Sequence, residues 1–151
     1  CMCMILFSHQ YTGNLKKFLD EKMKHINENW GEMHNVIATL YADFNATIER
    51  LRQVFGDYKK VGRKTDGSKF NRVLFESLTF YFLGSTNEDL SEKNVAEFND
   101  RFKALNLEPS FRFSIESSTK DMYAYRVRFK GIGSITNDSF GKNLDISPFK
   151  A

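Results

Sequence analysis

The chain contains 151 residues, carries a formal net charge of +3 and is 15% aromatic, with 15 phenylalanines. This length suits one domain with a sizeable core and argues against two, and the many large rings predict that the core is rich in phenylalanine. Three surplus positive charges are too few to indicate nucleic-acid binding by themselves, so such a function has to be inferred from local clusters of charge.

The N-terminal segment is apolar and contains both cysteines, Cys1 and Cys3. A disulfide across a single residue would be strained, so we expect a reducing, cytoplasmic compartment. The apolar residues 1–7 lack the charged flank of a signal peptide and are far fewer than the roughly 20 residues that span a bilayer, which predicts no membrane contact. Because the chain begins within an apolar run and without methionine, we interpret residues 1–151 as a single helical domain, the C-terminal fragment of a longer protein.

Two helices are predicted in the first third of the chain. Asn14 is a good N-cap, and the apolar residues from Leu15 to Ile26 recur at helical spacing. A second helix is predicted from Gly31 onward over roughly six turns, with Gly56 at the position where a C′ glycine would end it. The apolar stripe of this long helix consists of Met33, Val36, Ile37, Leu40, Tyr41, Phe44, Ile48, Leu51, Val54 and Phe55.

An exposed loop at 57–69 precedes a third predicted helix, which is almost entirely apolar and ends near Gly84. Such a helix is typical of one that neighbours contact on more than one side. A fourth helix is predicted to begin about Ser91 and to be closed by Pro109. The residues predicted to face inward are Val73, Leu74, Ser77, Leu78 and Tyr81 in the third helix and Val95, Phe98, Phe102 and Leu105 in the fourth.

Residues 122–135 fit both the alternation of a strand and the recurrence of a helix capped by Thr119. We favour the helix, although Gly131 and Gly133 each weaken it by about 1 kcal/mol relative to alanine. The tail 136–151 lacks periodicity and is predicted to be polar and irregular. The sequence therefore predicts an all-α fold, an irregular bundle of about five helices with a long second helix and a central aromatic helix.

The sequence contains no complete catalytic or metal-binding constellation. His9, His25 and His34 lack the i, i+4 spacing that places two imidazoles on one helical face, and the acidic pairs lie among lysines and arginines, as expected of solvated surface charge. Residues 61–68 contain two glycines before a helix but lack the G-x-x-x-x-G-K-[ST] spacing of a phosphate loop. We therefore predict no catalytic residue, no metal site and no cofactor.

A cluster of six cations occupies the loop before the third helix and the first turn of that helix. Because a helix N-terminus also favours a phosphate, the cluster indicates contact with a nucleic-acid backbone and a steep dependence of binding on salt. The alternative is that these side chains are simply solvated. Arg126 and Arg128 form a weaker second candidate, since alternate positions of a helix point to different faces. The six clustered residues are Lys59, Lys60, Arg63, Lys64, Lys69 and Arg72.

Several blocks of the chain resemble one known family in their order and spacing. The blocks are Y-T-G-N-L-K-K-F-L-D-E-K-M at 11–23, V-F-G at 54–56, K-F-N-R-V-L-F-E at 69–76 and Ser118-Thr119 before an arginine-bearing segment. On these blocks the chain resembles the C-terminal helical half of the GmrSD-type, ParB-like restriction-endonuclease family, long catalogued as a domain of unknown function. The resemblance covers about residues 5–130, and its motifs are packing and capping motifs without a catalytic signature.

The resemblance implies that a separate N-terminal, ParB/sulfiredoxin-like domain carries a D-G-Q-Q-R motif and a nucleotide-dependent nuclease or nickase activity against phage DNA. This chain contains no D-G-Q-Q-R, so no catalytic residue is carried over, and an enzyme in its own right is the least favoured hypothesis. Two functions stay open. One is a non-catalytic helical domain that contacts duplex DNA and has its own N-terminal catalytic domain as a partner. The other is a protein-interaction module, which includes a homo-oligomer, whose aromatic helices form the interface.

Overall fold

Seven α-helices make up the architecture in a computed structural model that describes residues 1–67, 69–117 and 120–149. These residues contain no β-strand, so the predicted all-α fold is confirmed. Short 3-10 turns lie at Ser8–Gln10, Tyr58–Lys60 and Asn87–Asp89. The helices are α1 Met2–Phe7, α2 Leu15–Glu28, α3 Trp30–Phe55, α4 Arg72–Phe82, α5 Glu92–Leu107, α6 Pro109–Glu116 and α7 Met122–Phe140.

Side-chain caps determine where α2, α4 and α5 begin. Asn14, Asn71 and Ser91 each accept a hydrogen bond from the backbone N–H three residues later, at 3.1, 3.0 and 3.2 Å. At the far end of α3, Gly56 has φ 78°, the left-handed conformation in which a C′ glycine ends a helix. The predicted starts at Asn14 and Ser91 and the predicted end of the long helix at Gly56 are therefore confirmed.

Two helices lie outside the predicted five. The apolar N-terminal segment forms α1 and buries Cys3 and Met4 in the core. Pro109, which the sequence analysis places at the end of the fourth helix, is also the first residue of α6. Both roles have one cause: proline lacks the N–H that would continue α5 beyond Leu107, and its fixed φ suits the first position of a new helix.

The helix favoured for residues 122–135 is confirmed as α7, and the strand alternative is wrong. The predicted cap, Thr119, lies outside the described residues; Asp121 is the N-cap and accepts from the Tyr123 N–H at 2.7 Å. Because α7 continues to Phe140, the prediction of an irregular tail is wrong for residues 136–140. The helix ends only where Gly141 adopts the left-handed conformation.

The core lies where α4 and α7 pack together, with α3 on one side of α4 and α5 and α6 against α7. The ring of Phe82 in α4 is fully buried and lies edge-on to Phe98 of α5 and Phe140 of α7, with centroids 5.1 and 5.5 Å away. Such pairs stabilise the fold by about 0.5–1.5 kcal/mol beyond the area they bury. Of the residues predicted to face inward, Val73 and Val95 are only partly buried, whereas Leu74, Ser77, Leu78, Tyr81, Phe98, Phe102 and Leu105 are buried.

Two glycines allow the neighbours of α7 to approach its backbone closely. A Cβ added at Gly133 would lie 2.6 Å from Cζ of Tyr81, inside the van der Waals contact distance. A Cβ at Gly131 would lie 3.1 Å from atoms of both Leu105 and Phe111. These glycines weaken the helix locally, but without them α4, α5 and α6 could not pack against α7 as they do.

The C-terminal segment after α7 is irregular but belongs to the core. Asn137 holds it through two hydrogen bonds to the backbone of Leu144, at 3.0 and 2.9 Å. Farther on, Phe149 is only 5% exposed, and its ring centroid lies 4.7 Å from that of Phe129. The polar residues of the tail therefore lie between a partly buried leucine, Leu144, and the buried ring of Phe149.

Both cysteines are free thiols, Cys1 exposed and Cys3 buried. Burial raises the pKa of the Cys3 thiol above its ordinary value. Within the described residues, no helix is at once long enough and apolar enough to cross a bilayer.

Replacing Phe82 with alanine tests the aromatic core. We expect Phe82→Ala to lower the free energy of unfolding by about 3–5 kcal/mol, because a fully buried ring is lost and a cavity remains. Urea denaturation followed by circular dichroism measures this loss. Phe113→Ala is the matched control: Phe113 is 47% exposed, so its removal should change stability by less than about 1 kcal/mol. Equal losses in the two variants would contradict the assignment of Phe82 to the core.

Glycine-to-alanine variants test the close packing at α7. We expect Gly133→Ala to lower the free energy of unfolding by about 1–3 kcal/mol, since the new methyl group collides with Tyr81. Gly31→Ala is the control, because Gly31 is also helical but has no atom within 4 Å of the added Cβ; it should raise stability by up to about 1 kcal/mol. Thermal unfolding gives both values, and a stabilising Gly133→Ala would show that α4 does not pack as described.

Candidate nucleic-acid interface

Hydrogen bonds of Asn71 anchor the loop between α3 and α4. The N–H of Asn71 donates to the carbonyl of Gly62 at 2.8 Å, and the Asn71 side chain donates to the carbonyl of Ile115 in α6 at 2.7 Å. Gly62 has φ 69°, and a Cβ there would lie 2.7 Å from the Phe70 ring. The loop is therefore closed on itself and attached to α6, so its cations are held in a defined arrangement.

Three of the six predicted basic residues meet in one pocket between this loop and α5, with a volume of about 430 Å³. A fourth cation, from α5, joins them, and the described residues of the lining include no carboxylate. Cations that converge in a concave site reinforce one another's attraction for an anion. We call this site the basic pocket; it is defined by Lys60, Arg63, Lys64 and Lys103 together with Phe55, Asn99 and Phe102.

The other three predicted residues lie outside the basic pocket. Arg72 lines a separate, open depression beside Lys16 and Lys120. Lys59 and Lys69 are exposed and line neither site. The cluster that is contiguous in the sequence is thus divided between two surfaces.

Lys64 connects the loop to α6. Its ammonium group lies 2.6 Å from Glu116 and 3.3 Å from Asp66, and its side chain is only 16% exposed. The hydrogen bond to Glu116 raises the pKa of Lys64, and the same bond lowers the pKa of the Glu116 carboxyl. Two carboxylates offset much of the charge of this ammonium group, so the main role of Lys64 is to position the loop.

Two aromatic rings and an oriented amide complete the basic pocket. The rings of Phe55 and Phe102 lie edge-to-face at 5.3 Å; Phe102 is almost fully buried and Phe55 partly buried. Asn99 donates from Nδ2 to the carbonyl of Val54 at 2.9 Å, which joins α5 to the end of α3. The pocket therefore combines a cationic rim with an apolar, aromatic wall.

Sequence reasoning did not identify Asn99 and Lys103. The two residues are four apart in α5 and so lie on one face of it, beside the inward-facing Phe98 and Phe102. That spacing is the only feature of the sequence that could have pointed to these two residues. It does not reveal which loop packs against this face of α5. Lys103 pairs with Asp100 at 3.5 Å, but both side chains are more than half exposed, so the pair is weak.

The weaker candidate pair does not form a surface site. Arg128 is fully buried; its Nη1 donates to the carbonyl of Ser114 at 2.6 Å, and its guanidinium lies 4.4 Å from the ring centre of Tyr125. Burial lowers the pKa of this guanidinium, against the opposing influence of Tyr125 and Glu76. Arg126, by contrast, is exposed. Arg128 therefore has a structural role in joining α7 to α6.

Metal-binding side chains do not converge in the part of the chain that the structure describes. It contains no group of three or more histidine, cysteine, aspartate or glutamate residues that could hold an ion. His9, His25 and His34 are all exposed, on the turn after α1, on α2 and on α3.

Comparison of the chain with protein-family models, curated proteins and solved structures finds no match. Its function is therefore inferred from its own residues and from the geometry of the basic pocket.

Proposed function

We propose that this chain is a non-catalytic helical domain of a cytoplasmic, DNA-targeting protein of the restriction type that acts in phage defence. In this proposal the domain contacts duplex DNA through the basic pocket, and its first partner is an N-terminal catalytic domain of the same protein. The observation that supports DNA contact is the convergence of Lys60, Arg63 and Lys103 in one pocket. These cations come from the loop before α4 and from α5, and the described residues that line the pocket include no carboxylate.

The phosphates of the DNA backbone are the groups that we expect the cations of the basic pocket to bind. Each lysine or arginine that neutralises a phosphate releases a condensed counterion, so binding is favoured by entropy at low salt and weakens as salt rises. Lys59 and Lys69 extend from the same loop into solvent and add to the positive field around the pocket. Because the loop is attached to α6, little conformational entropy is lost when its cations bind.

A protein-interaction or homo-oligomerisation module is the second candidate, and the surface of α2 and α3 favours it. Met23, Trp30, Val36 and Tyr41 are large apolar or aromatic residues that are 50%, 51%, 46% and 59% exposed. Helices that bury a second copy would present such a surface. Light scattering across a wide concentration range tests this function: an interface on these helices predicts a dimer that Trp30→Glu dissociates, and a strictly monomeric wild type would exclude the homo-oligomer.

Charge reversal at the rim tests DNA contact. We expect Lys60→Glu/Arg63→Glu to weaken binding to a duplex at 50 mM salt at least about tenfold, and to reduce the slope of log K against log salt by about 2, because two phosphate contacts are lost. Fluorescence anisotropy of a labelled duplex over a salt series gives both quantities.

The matched control is Arg126→Glu/Lys130→Glu, which makes the same change in net charge on the exposed side of α7, away from the lining of the basic pocket. It should bind within about threefold of wild type, apart from the long-range effect of net charge. Equal losses in the two double variants would indicate non-specific attraction and would exclude the basic pocket as the contact.

Removing the partner of Lys64 should strengthen binding. In Glu116→Gln the Lys64 ammonium group keeps only Asp66 as a carboxylate partner, so we expect about fivefold tighter binding to the same duplex. Asp20→Asn removes one negative charge from the surface of α2 and is the control for net charge. The same anisotropy assay measures both variants, and an unchanged or weaker Glu116→Gln would count against DNA contact at this site.

A further inference from the structure

We propose that the basic pocket binds one nucleotide as a unit, with the nucleobase against the rings of Phe55 and Phe102 and the phosphate between Lys60, Arg63 and Lys103. The ligand could come from two sources. One is a nucleotide unstacked from a DNA strand, and for this source the inference rests on the proposed function. The other source, a free nucleoside monophosphate, has the same chemistry.

The aromatic wall is the reason to expect more than a phosphate. Contacts to a DNA backbone need cations alone, and an exposed rim such as that at Arg72 would suffice for them. In the basic pocket, the partly buried ring of Phe55 and the almost fully buried ring of Phe102 lie in the same lining as the cations. A ligand with a flat apolar face and an anionic group at one end would contact both the aromatic rings and the cations. A nucleotide has that form.

The volume of the pocket agrees with this ligand. About 430 Å³ lies within the range of small-molecule sites, roughly 300–1,000 Å³, and accommodates one nucleotide but no duplex. A DNA strand whose phosphates contact the cationic rim could therefore place only a single, flipped-out nucleotide in the pocket. Unstacking a base costs least where the strand is already single or damaged.

Asn99 adds a polar contact at a defined position. Its Nδ2 donates to the Val54 carbonyl, which fixes the orientation of the amide. An amide oriented in this way can accept a hydrogen bond from an amino group on the edge of a base. In this inference Phe55 supplies stacking, Asn99 contacts the edge of the base and Lys103 supplies charge.

The experiment measures binding of adenosine 5′-monophosphate, adenosine, inorganic phosphate, a single-stranded oligodeoxyadenylate and its duplex to the intact chain. Chemical-shift changes in ¹H–¹⁵N spectra, with the Asn99 side-chain amide as reporter, give affinity and location together. The variants are Phe55→Ala, which removes the stacking ring, and Lys103→Glu, at a side chain that is 66% exposed and so leaves the fold intact even if Phe55→Ala does not fold. Lys93→Glu, at an exposed lysine of the same helix, is the control.

We expect the monophosphate to bind more tightly than adenosine or inorganic phosphate, with a shift of the Asn99 amide. Lys103→Glu should weaken this binding about tenfold or more, because a charge-assisted hydrogen bond is lost, and Lys93→Glu should leave it within about twofold. If only the single strand produces these effects, the ligand is a nucleotide of a strand; if the free monophosphate does so as well, the pocket takes the free nucleotide.

Inorganic phosphate that binds as tightly as the monophosphate would overturn the inference, since the rings would then contribute nothing. Absence of binding by both the monophosphate and the single strand would overturn it too. The duplex separates this outcome from failure of the proposed function. Salt-dependent duplex binding that needs Lys60 and Arg63 but is unchanged in Phe55→Ala leaves DNA contact intact and removes the nucleotide site. Binding of the monophosphate without any binding of duplex would leave the nucleotide site intact and would exclude DNA contact.

Discussion

The close approach of α4 to α7 is the constraint on which the rest of the structure depends. Tyr81 lies against the backbone of α7 at Gly133, where no side chain larger than hydrogen fits. This contact fixes the position of α4. The N-cap of α4 is Asn71, which also closes the preceding loop and ties it to α6. The positions of the loop cations are therefore a consequence of packing in the core. A change in the core would be transmitted to the surface through Asn71.

Charge is used in two ways around this loop. Lys64 interacts with Glu116 and Asp66 and so holds the loop against α6, whereas Lys60 and Arg63 line the basic pocket beside the aromatic wall. An ion pair at a surface adds little to stability, but it can restrict a segment to one arrangement. The hydrogen bonds from Asn71 to Gly62 and Ile115 also hold the loop, so the arrangement of the other cations does not depend on this ion pair alone.

Local signals in the sequence predicted the helix boundaries because capping acts within a few residues: Asn14, Ser91 and Gly56 are where the pattern placed them. The separate helix α6 was missed because Pro109 ends one helix and begins the next. The composition of the basic cluster could be read from the sequence, but its geometry could not. Lys64 finds its partner Glu116 52 residues later, and the cation and amide that complete the pocket come from α5. Such contacts depend on tertiary packing, which periodicity does not encode.

Trp30 gives this chain an unusual optical property. It is the only tryptophan, it is 51% exposed at the first residue of α3, and its ring centroid lies 5.6 Å from that of His34. The buried rings of the core are phenylalanine and tyrosine, so tryptophan emission reports the hydration of the junction between α2 and α3 and is nearly silent about the core. The chain therefore carries an intrinsic fluorescent label, and a molecule that covers this junction would shift its emission towards the blue.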